Sequence, residues 1–275
     1  MIKSTITRFV FLIIIMALGL SACKIAMADT AQDEMQTMIA ELHAIKKQTM
    51  TGRDLEEPLK LRAKIIKRFV EIGSPAMPIL IGALDDTTRY GFVRRSAAEA
   101  IGKINDPASI SSLHKLLKKG NVSQRQGAVE ALGNLKSRSS VKPLIKLLNR
   151  DSDSGVRMLS AISLGRIGDV SAINSLVHRL EKENDPNIRA YGAMALGELK
   201  ATTKIQLLLS LFEKEHQKSR GSFVAEHYEQ ALRLITNAKV EYYGRSHVTK
   251  EEQDKVVKEW REWWEHEGKL KYPQR

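Results

Sequence analysis

The sequence is poor in cysteine, the residue that forms disulfides and thiolate metal sites. Cys23 is the only cysteine among the 275 residues, so the chain by itself forms no disulfide and no thiolate metal site. Aromatic residues make up only 5% of it, whereas leucine, isoleucine, alanine, lysine and glutamate are common. This composition favours helices, and the chain is long enough to bury a core.

Motifs of common catalytic and cofactor sites are also missing. The sequence has no glycine-rich phosphate-binding loop, no Gly-x-Ser-x-Gly turn and no His-Glu-x-x-His helix. Its seven histidines, at positions 43, 114, 178, 216, 227, 247 and 266, do not have the spacing of metal ligands. We therefore expect no catalytic residue, no metal ion and no cofactor.

One long apolar run is present, at the N-terminus. Lys3 and Arg8 precede an apolar stretch from Phe9 to Leu20. This stretch is shorter than the roughly 20 apolar residues of a membrane-spanning helix and has the length of a signal-peptide core. The first residues therefore predict export from the cytoplasm.

The apolar stretch ends in Leu20-Ser21-Ala22-Cys23, which resembles the lipobox of bacterial lipoproteins. The resemblance implies that residues 1–22 are a signal peptide and that Cys23, carrying a diacylglyceryl group, becomes the mature N-terminus. Lys24 follows, where an aspartate is the usual retention signal in enterobacterial sorting. The resemblance therefore implies an anchor in the outer membrane, on its periplasmic side.

Two other interpretations of this segment stay open. Ala26-Met27-Ala28 before Asp29 also fits the small-x-small cleavage site of an ordinary signal peptidase, which would leave the protein soluble in the periplasm. The other is an uncleaved membrane anchor, which the shortness of the apolar run disfavours.

Positive charge dominates the chain and narrows the class of partner. The net charge is +12, and it falls to +10 without residues 1–22, because that segment holds Lys3, Arg8 and no acidic residue. A basic protein attracts anionic partners, but export excludes chromosomal DNA and RNA. We expect an acidic protein, lipid headgroups or an anionic polymer of the envelope, and no nucleic acid.

The strongest pattern is a repeat of about 32 residues. The segment Val93–Ile104 returns as Gln124–Leu135, as Val156–Ile167 and as Ile188–Leu199. Its apolar positions recur at i, i+4, i+7, i+8 and i+11, which is one face of an α-helix, and a second amphipathic helix follows each copy. The register is marked by glycines spaced 31, 32 and 32 residues apart: Gly102, Gly133, Gly165 and Gly197.

A helix pair whose first half reads V-R-x-x-A-x-x-A-L-G-x-I-x-D resembles the HEAT-like repeats of the phycobilisome-lyase type. The resemblance covers residues 59–236, including a degenerate earlier copy that begins near Leu59. It implies an all-α solenoid, a right-handed superhelix of about five to six antiparallel helix pairs. In that superhelix the first helix of each pair would lie on the convex face and the second on the concave face.

Four arginines keep the register of the repeat, and we predict that they are structural. Asn121, Asp153 and Asp185 each lie four residues before one of them and can cap the helix start. In this interpretation the arginines tie adjacent repeats together. We call them the arginine ladder: Arg94, Arg125, Arg157 and Arg189.

The two ends of the chain depart from the repeat. Residues 23–58 are predicted to hold a tether and a capping helix, because apolar residues recur at helical spacing between Met35 and Ile45. Residues 237–275 are predicted to form a capping helix that plugs the open end of the stack. An aromatic platform for a sugar or a peptide is the alternative for its three tryptophans: Trp260, Trp263 and Trp264.

Cations on the second helices form the candidate binding surface. They fall in two columns four residues apart, which share one helix face. The column in the last helical turn also complements the helix dipole, so a structural role stays open. We call the six side chains the basic stripe: Lys115, Lys119, Lys146, Arg150, His178 and Lys182.

The sequence therefore predicts a lipid-anchored, non-catalytic scaffold that binds a protein partner in the cell envelope. The alternative is a binding module for an anionic envelope ligand, such as peptidoglycan or lipopolysaccharide. In that alternative the ligand is bound by the basic stripe or by the tryptophan helix.

Overall fold

Helices make up almost all of the chain that the structure describes. A computed structural model describes residues 30–45, 56–87, 91–218, 223–240 and 250–273. There is no strand within these ranges, and the predicted all-α solenoid is confirmed. The signal segment, Cys23 and both candidate cleavage sites lie outside the described residues.

The helices are numbered along the chain. They are α1 (residues 30–45), α2 (Glu56–Ile72), α3 (Met77–Gly82), α4 (Phe92–Ile104), α5 (Ser109–Lys119), α6 (Val122–Asn134), α7 (Val141–Arg150), α8 (Ser154–Ile167), α9 (Ile173–Lys182), α10 (Pro186–Glu198), α11 (Ile205–Lys218), α12 (Phe223–Thr236), α13 (Lys250–Trp263) and α14 (Lys269–Lys271). A π-helical turn at Trp264–Gly268 joins the last two. In the described ranges, no helix is both long enough and apolar enough to cross a membrane.

The four clean copies of the repeat are helix pairs. Their first helices are α4, α6, α8 and α10, and their second helices are α5, α7, α9 and α11. The side chains of Asn121, Asp153 and Asp185 accept backbone N–H bonds at the starts of α6, α8 and α10. These bonds satisfy donors that the first turn of a helix leaves free. An earlier, shorter pair is formed by α2 and α3, and α12 continues the row of first helices.

The repeat glycines are the points where neighbouring first helices touch. A Cβ on Gly133 would lie 2.7 Å from the Cβ of Ser163 and 3.0 Å from its Cα. A Cβ on Gly197 would lie 2.9 Å from the Cα of Ala231, one helix further along. Glycine is therefore required at this position because backbone, and not a flexible side chain, occupies the space.

The row of first helices is packed more closely than the row of second helices. Extensive contacts join α4 to α6, α6 to α8, α8 to α10 and α10 to α12. Among the second helices of the described chain, only α7 and α9 contact each other at more than isolated points. The contacts of Gly133 and Gly197 lie in this closely packed row. The convex placement that the family resemblance implies for the first helices stays a prediction.

Helix α1 covers the first end of the stack. Its residues Met35, Met38, Leu42 and Ile45 are buried in the common core. On its polar side, Glu34 accepts two hydrogen bonds from the guanidinium of Arg68 on α2, at 2.6 and 3.0 Å. The apolar face that the sequence placed between residues 35 and 45 thus packs on the stack.

Helix α13 covers the other end. The indole of Trp260 is fully buried and its N–H donates to Glu229 on α12 at 3.3 Å, while Trp264 is 5% exposed. Trp263 is half-buried and packs edge-on against Trp260, with 5.5 Å between ring centroids. Two of the three indoles therefore lie in the core. Of the three, only Trp263 exposes part of its ring to a ligand.

We expect Gly133→Ala to destabilise the protein by about 1–3 kcal/mol, because the added methyl group forces α6 and α8 apart. The matched control is Gly82→Ala, since Gly82 is helical with φ −59° and a Cβ there meets no atom within 4 Å. That substitution should stabilise the protein by about 0.4–1 kcal/mol. Urea unfolding followed by circular dichroism measures both, and equal effects of the two would contradict the glycine-contact explanation.

Candidate functional site

All six side chains of the basic stripe lie on the second helices and are exposed. Lys115 and Lys119 lie on α5 and Lys146 and Arg150 on α7, while His178 and Lys182 lie on α9. Within the described residues, none of the six forms an ion pair. The same face continues on α11 with Ser210 and Lys214, which are also exposed. The structure therefore places the stripe on one solvent-facing row.

The second column of the stripe lies at helix ends. Lys119, Arg150 and Lys182 are the last residues of α5, α7 and α9. A cation in the last turn complements the negative end of the helix dipole, which is worth about 0.3–1 kcal/mol. This local role accounts for the second column without any ligand, but it does not account for Lys115 and Lys146 in the middle of their helices.

The stripe lies on the row of second helices, on the other side of the helix pairs from the first helices. Its charges are spread over helices that contact each other little. Such a surface suits a broad anionic partner, whose charges are met at several points, better than a small molecule enclosed in a cavity.

The arginine ladder is built from repeated ion pairs with buried acids. Arg125 donates from Nε and Nη2 to the two carboxylate oxygens of Asp151, at 2.8 and 2.9 Å. In the next pair, Arg157 donates from Nε to Glu183 at 3.2 Å, and in the following one Arg189 donates from Nη2 to Glu215 at 3.2 Å. Each pair links a first helix to the end of the second helix that follows it.

The ladder arginines also reach back to the preceding loop. Arg157 donates to the backbone carbonyl of Asp151 at 3.0 Å, and Arg189 donates to that of Glu183 at 3.2 Å. Asp151 and Glu183 therefore each accept hydrogen bonds from two arginines of successive repeats. Within the described chain this makes a continuous set of hydrogen bonds from α6 to α11.

Two of the ladder acids, Glu183 and Glu215, have a pKa below the usual value of a glutamate. Burial alone would raise the pKa of Glu183, but a hydrogen bond from the backbone N–H of Asp185 and the guanidinium groups of Arg179 and Arg157 hold that pKa below its usual value. The pKa of Glu215 is lowered in the same way by Lys218 and Arg189, again against the effect of burial. A buried carboxylate of this kind is stable only while its cations are present.

Arg94 departs from this pattern. It is 7% exposed and its Nη1 donates to the backbone carbonyl of Asp86 at 3.0 Å. Its Nε has no hydrogen-bond partner among the described residues, and burial lowers the pKa of its guanidinium. The cause is in the sequence: Gly120 stands 26 residues after Arg94, where the other ladder arginines meet Asp151, Glu183 or Glu215.

The acids of the ladder were missed by the sequence analysis, although a signal for them exists. An acid follows three of the four repeat arginines at a constant distance of 26 residues. The arginines are also preceded, four residues earlier, by the caps at Asn121, Asp153 and Asp185. Their side chains cap helices, and the arginine contacts are made elsewhere.

In the described ranges, no three His, Cys, Asp or Glu side chains come together in a group that could hold a metal ion.

One family model and several solved structures are similar to this chain. Residues 55–127 and 113–196 match the family model described as HEAT repeats. An engineered protein of known crystal structure is 21% identical, and the match covers 74% of this chain and 97% of that chain with a TM-score of 0.46. The complex of CpcE and CpcF of phycocyanin lyase from Nostoc sp. PCC7120 is 19% identical, with coverage of 83% and 94% and a TM-score of 0.42. No curated protein matches the chain.

We expect Arg125→Ala to destabilise the protein by about 2–3 kcal/mol, because it leaves the carboxylate of Asp151, whose side chain is 6% exposed, without its cation. The matched control is Arg150→Ala, which removes an exposed guanidinium and should change stability by no more than about 0.5 kcal/mol. Thermal unfolding measures the stability of the two variants. Equal losses of stability would show that the ladder is not what holds α6 to α7.

Proposed function

The chain belongs to the HEAT-repeat family, and from this membership we propose that it is a non-catalytic protein-interaction scaffold of the bacterial cell envelope, anchored by a lipid on Cys23. Stacked helix pairs present an extended surface with few enclosed cavities, which suits binding to another protein. The anchor is proposed from the lipobox-like sequence that ends at Cys23.

The observation that carries the proposal is the contrast between two sets of cations. The ladder arginines at positions 125, 157 and 189 are turned inward and neutralised by buried acids. The basic stripe is exposed, and its cations form no ion pair within the described residues. A row of exposed basic side chains without ion pairs attracts and orients a negatively charged surface. The partner of this scaffold is therefore an acidic protein.

The proposed anchor would keep the stack close to the membrane. Six residues lie between Cys23 and Thr30, the first described residue of α1, and the seven Cα-to-Cα steps between these two reach at most about 25 Å. Because α1 covers the first end of the stack, that end would face the membrane. The row of second helices would then extend away from it into the periplasm.

An alternative function uses the same stripe on a different ligand. Phosphate and carboxylate groups of lipopolysaccharide or peptidoglycan would meet the same exposed lysine and arginine side chains. Trp263, the most accessible of the three tryptophans, could add a contact with a sugar ring. Binding of the purified protein to isolated cell-wall material or to lipopolysaccharide, without any protein present, would favour this alternative.

Reversing four stripe cations, as Lys115→Glu, Lys119→Glu, Lys146→Glu and Arg150→Glu, should abolish capture of the acidic partner from envelope fractions. Each reversal changes the local charge by two units, and the attraction becomes a repulsion. The exposed positions predict unchanged helicity by circular dichroism.

A control variant carries the same change of net charge elsewhere. Lys64, Lys67, Lys239 and Lys271 are exposed and lie outside the stripe. Their reversal to glutamate should leave capture nearly intact. If both variants capture equally, whether well or poorly, the stripe is not the binding surface.

The anchor has its own test. Mass spectrometry of the mature protein from the native envelope should find an N-terminal cysteine, Cys23, with the mass of a diacylglyceryl group. Cys23→Ala should move the protein from the detergent phase to the aqueous phase in detergent partitioning. An N-terminus at Asp29 in the native protein would make it a soluble periplasmic protein and remove the anchor from the proposal.

A further inference from the structure

A polar cleft lies on the row of first helices, on the opposite side of the helix pairs from the basic stripe. It has a volume of about 480 Å³ and crosses α2, α4, α6 and α8. A second hollow of about 510 Å³ continues it, shares Glu99, Asn134 and Arg166 with it, and reaches Glu198 on α10. The two together form a groove that runs along the row of first helices.

Two cations of the groove are already neutralised. Arg62 donates to Glu99 at 2.5 Å and to the hydroxyl of Ser96 at 2.9 Å. Lys103 contacts the other carboxylate oxygen of Glu99 at 2.8 Å. One acid therefore holds two cations at one edge of the groove, and these groups are positioned by each other.

Two guanidinium groups of the groove are free. Arg95 on α4 and Arg166 on α8 are exposed, and neither forms an ion pair within the described residues. Arg166 makes one hydrogen bond, from Nη1 to the amide oxygen of Asn134 at 2.9 Å. That bond orients Arg166 and leaves its other donors for a ligand, since a guanidinium carries five.

Between these arginines, on α6, lies a carboxyl group with an unused oxygen. Oε2 of Glu130 is buried and has no hydrogen-bond partner among the described residues. Burial raises the pKa of this carboxyl, although Arg166 and Arg95 act in the opposite direction. A buried polar atom without a partner in the floor of an open cleft is where a bound group would make a hydrogen bond.

We propose that this groove is a second binding site, for an extended acidic peptide segment whose carboxylate groups pair with Arg95 and Arg166. A planar guanidinium meets a carboxylate through two parallel hydrogen bonds, which a compact ammonium cannot do. Oε2 of Glu130 accepts a hydrogen bond from the peptide at the floor of the groove. Glu198 accepts from a backbone N–H further along.

The charges of the groove favour a peptide over a phosphate-rich polymer. Glu130 and Glu198 lie in the same groove as the two free arginines. A uniform row of phosphates would meet these acids and be repelled, whereas a peptide carries single carboxylates separated by neutral N–H and C=O groups. First helices are spaced about 8–10 Å apart, so the two spacings from Arg95 on α4 to Arg166 on α8 span roughly five to six residues of extended chain.

The test measures binding of the full chain to a fluorescein-labelled octapeptide of alternating glutamate and alanine, by fluorescence anisotropy. Arg95→Ala and Arg166→Ala should each weaken binding by about tenfold or more, which is the size expected of a charge-assisted pair. Arg166→Lys should recover only part of that loss. Glu130→Gln, which removes one negative charge and keeps the shape, should bind at least as tightly as the unchanged protein.

Two controls separate this groove from the basic stripe and from general attraction. The double variant Lys146→Ala, Arg150→Ala should bind the peptide as the unchanged protein does, and an octapeptide of alternating glutamine and alanine should not bind. The proposal is overturned if Arg95→Ala and Arg166→Ala bind normally, if the stripe variant loses binding in their place, or if the unchanged protein does not bind the acidic peptide at millimolar concentration.

Discussion

Close approach of the first helices at the repeat glycines determines the geometry of the whole stack. Where Gly133 meets Ser163 and Gly197 meets Ala231, backbones are in direct contact, and no larger residue fits without moving a helix. Within the described residues, the second helices contact each other much less. The groove lies on the closely packed row of first helices, and the basic stripe lies on the row of second helices.

The charged side chains of this protein have two different roles. The carboxylates of Asp151, Glu183 and Glu215 are buried and hold the ladder arginines, so these charges serve the fold. The side chains of the stripe, with Arg95 and Arg166 on the other side, are exposed and form no ion pair within the described residues. A net charge of +12 alone does not distinguish these groups, whereas their partners do.

The sequence predicted the helix pairs, their number and their register, because glycine and apolar spacing report directly on a repeated helix. The sequence also identified the face of α1 that packs on the stack, and the tryptophans in and directly after α13 that do the same. It could not bring Glu130 and Arg166 together, because these residues lie on different repeats and only the stacking of α6 on α8 makes them neighbours.

Repeats that share a ladder acid are coupled in their unfolding. In a stack, stability is a sum of the intrinsic stability of each pair and the interactions between neighbours. Asp151 and Glu183 add to both terms, so we expect the pairs from α6 to α11 to open together. The pair of α4 and α5 lacks the acid that would tie its two helices, because Gly120 occupies that position. We therefore expect local opening to govern amide exchange in α5, and cooperative unfolding of the stack to govern exchange in the later second helices.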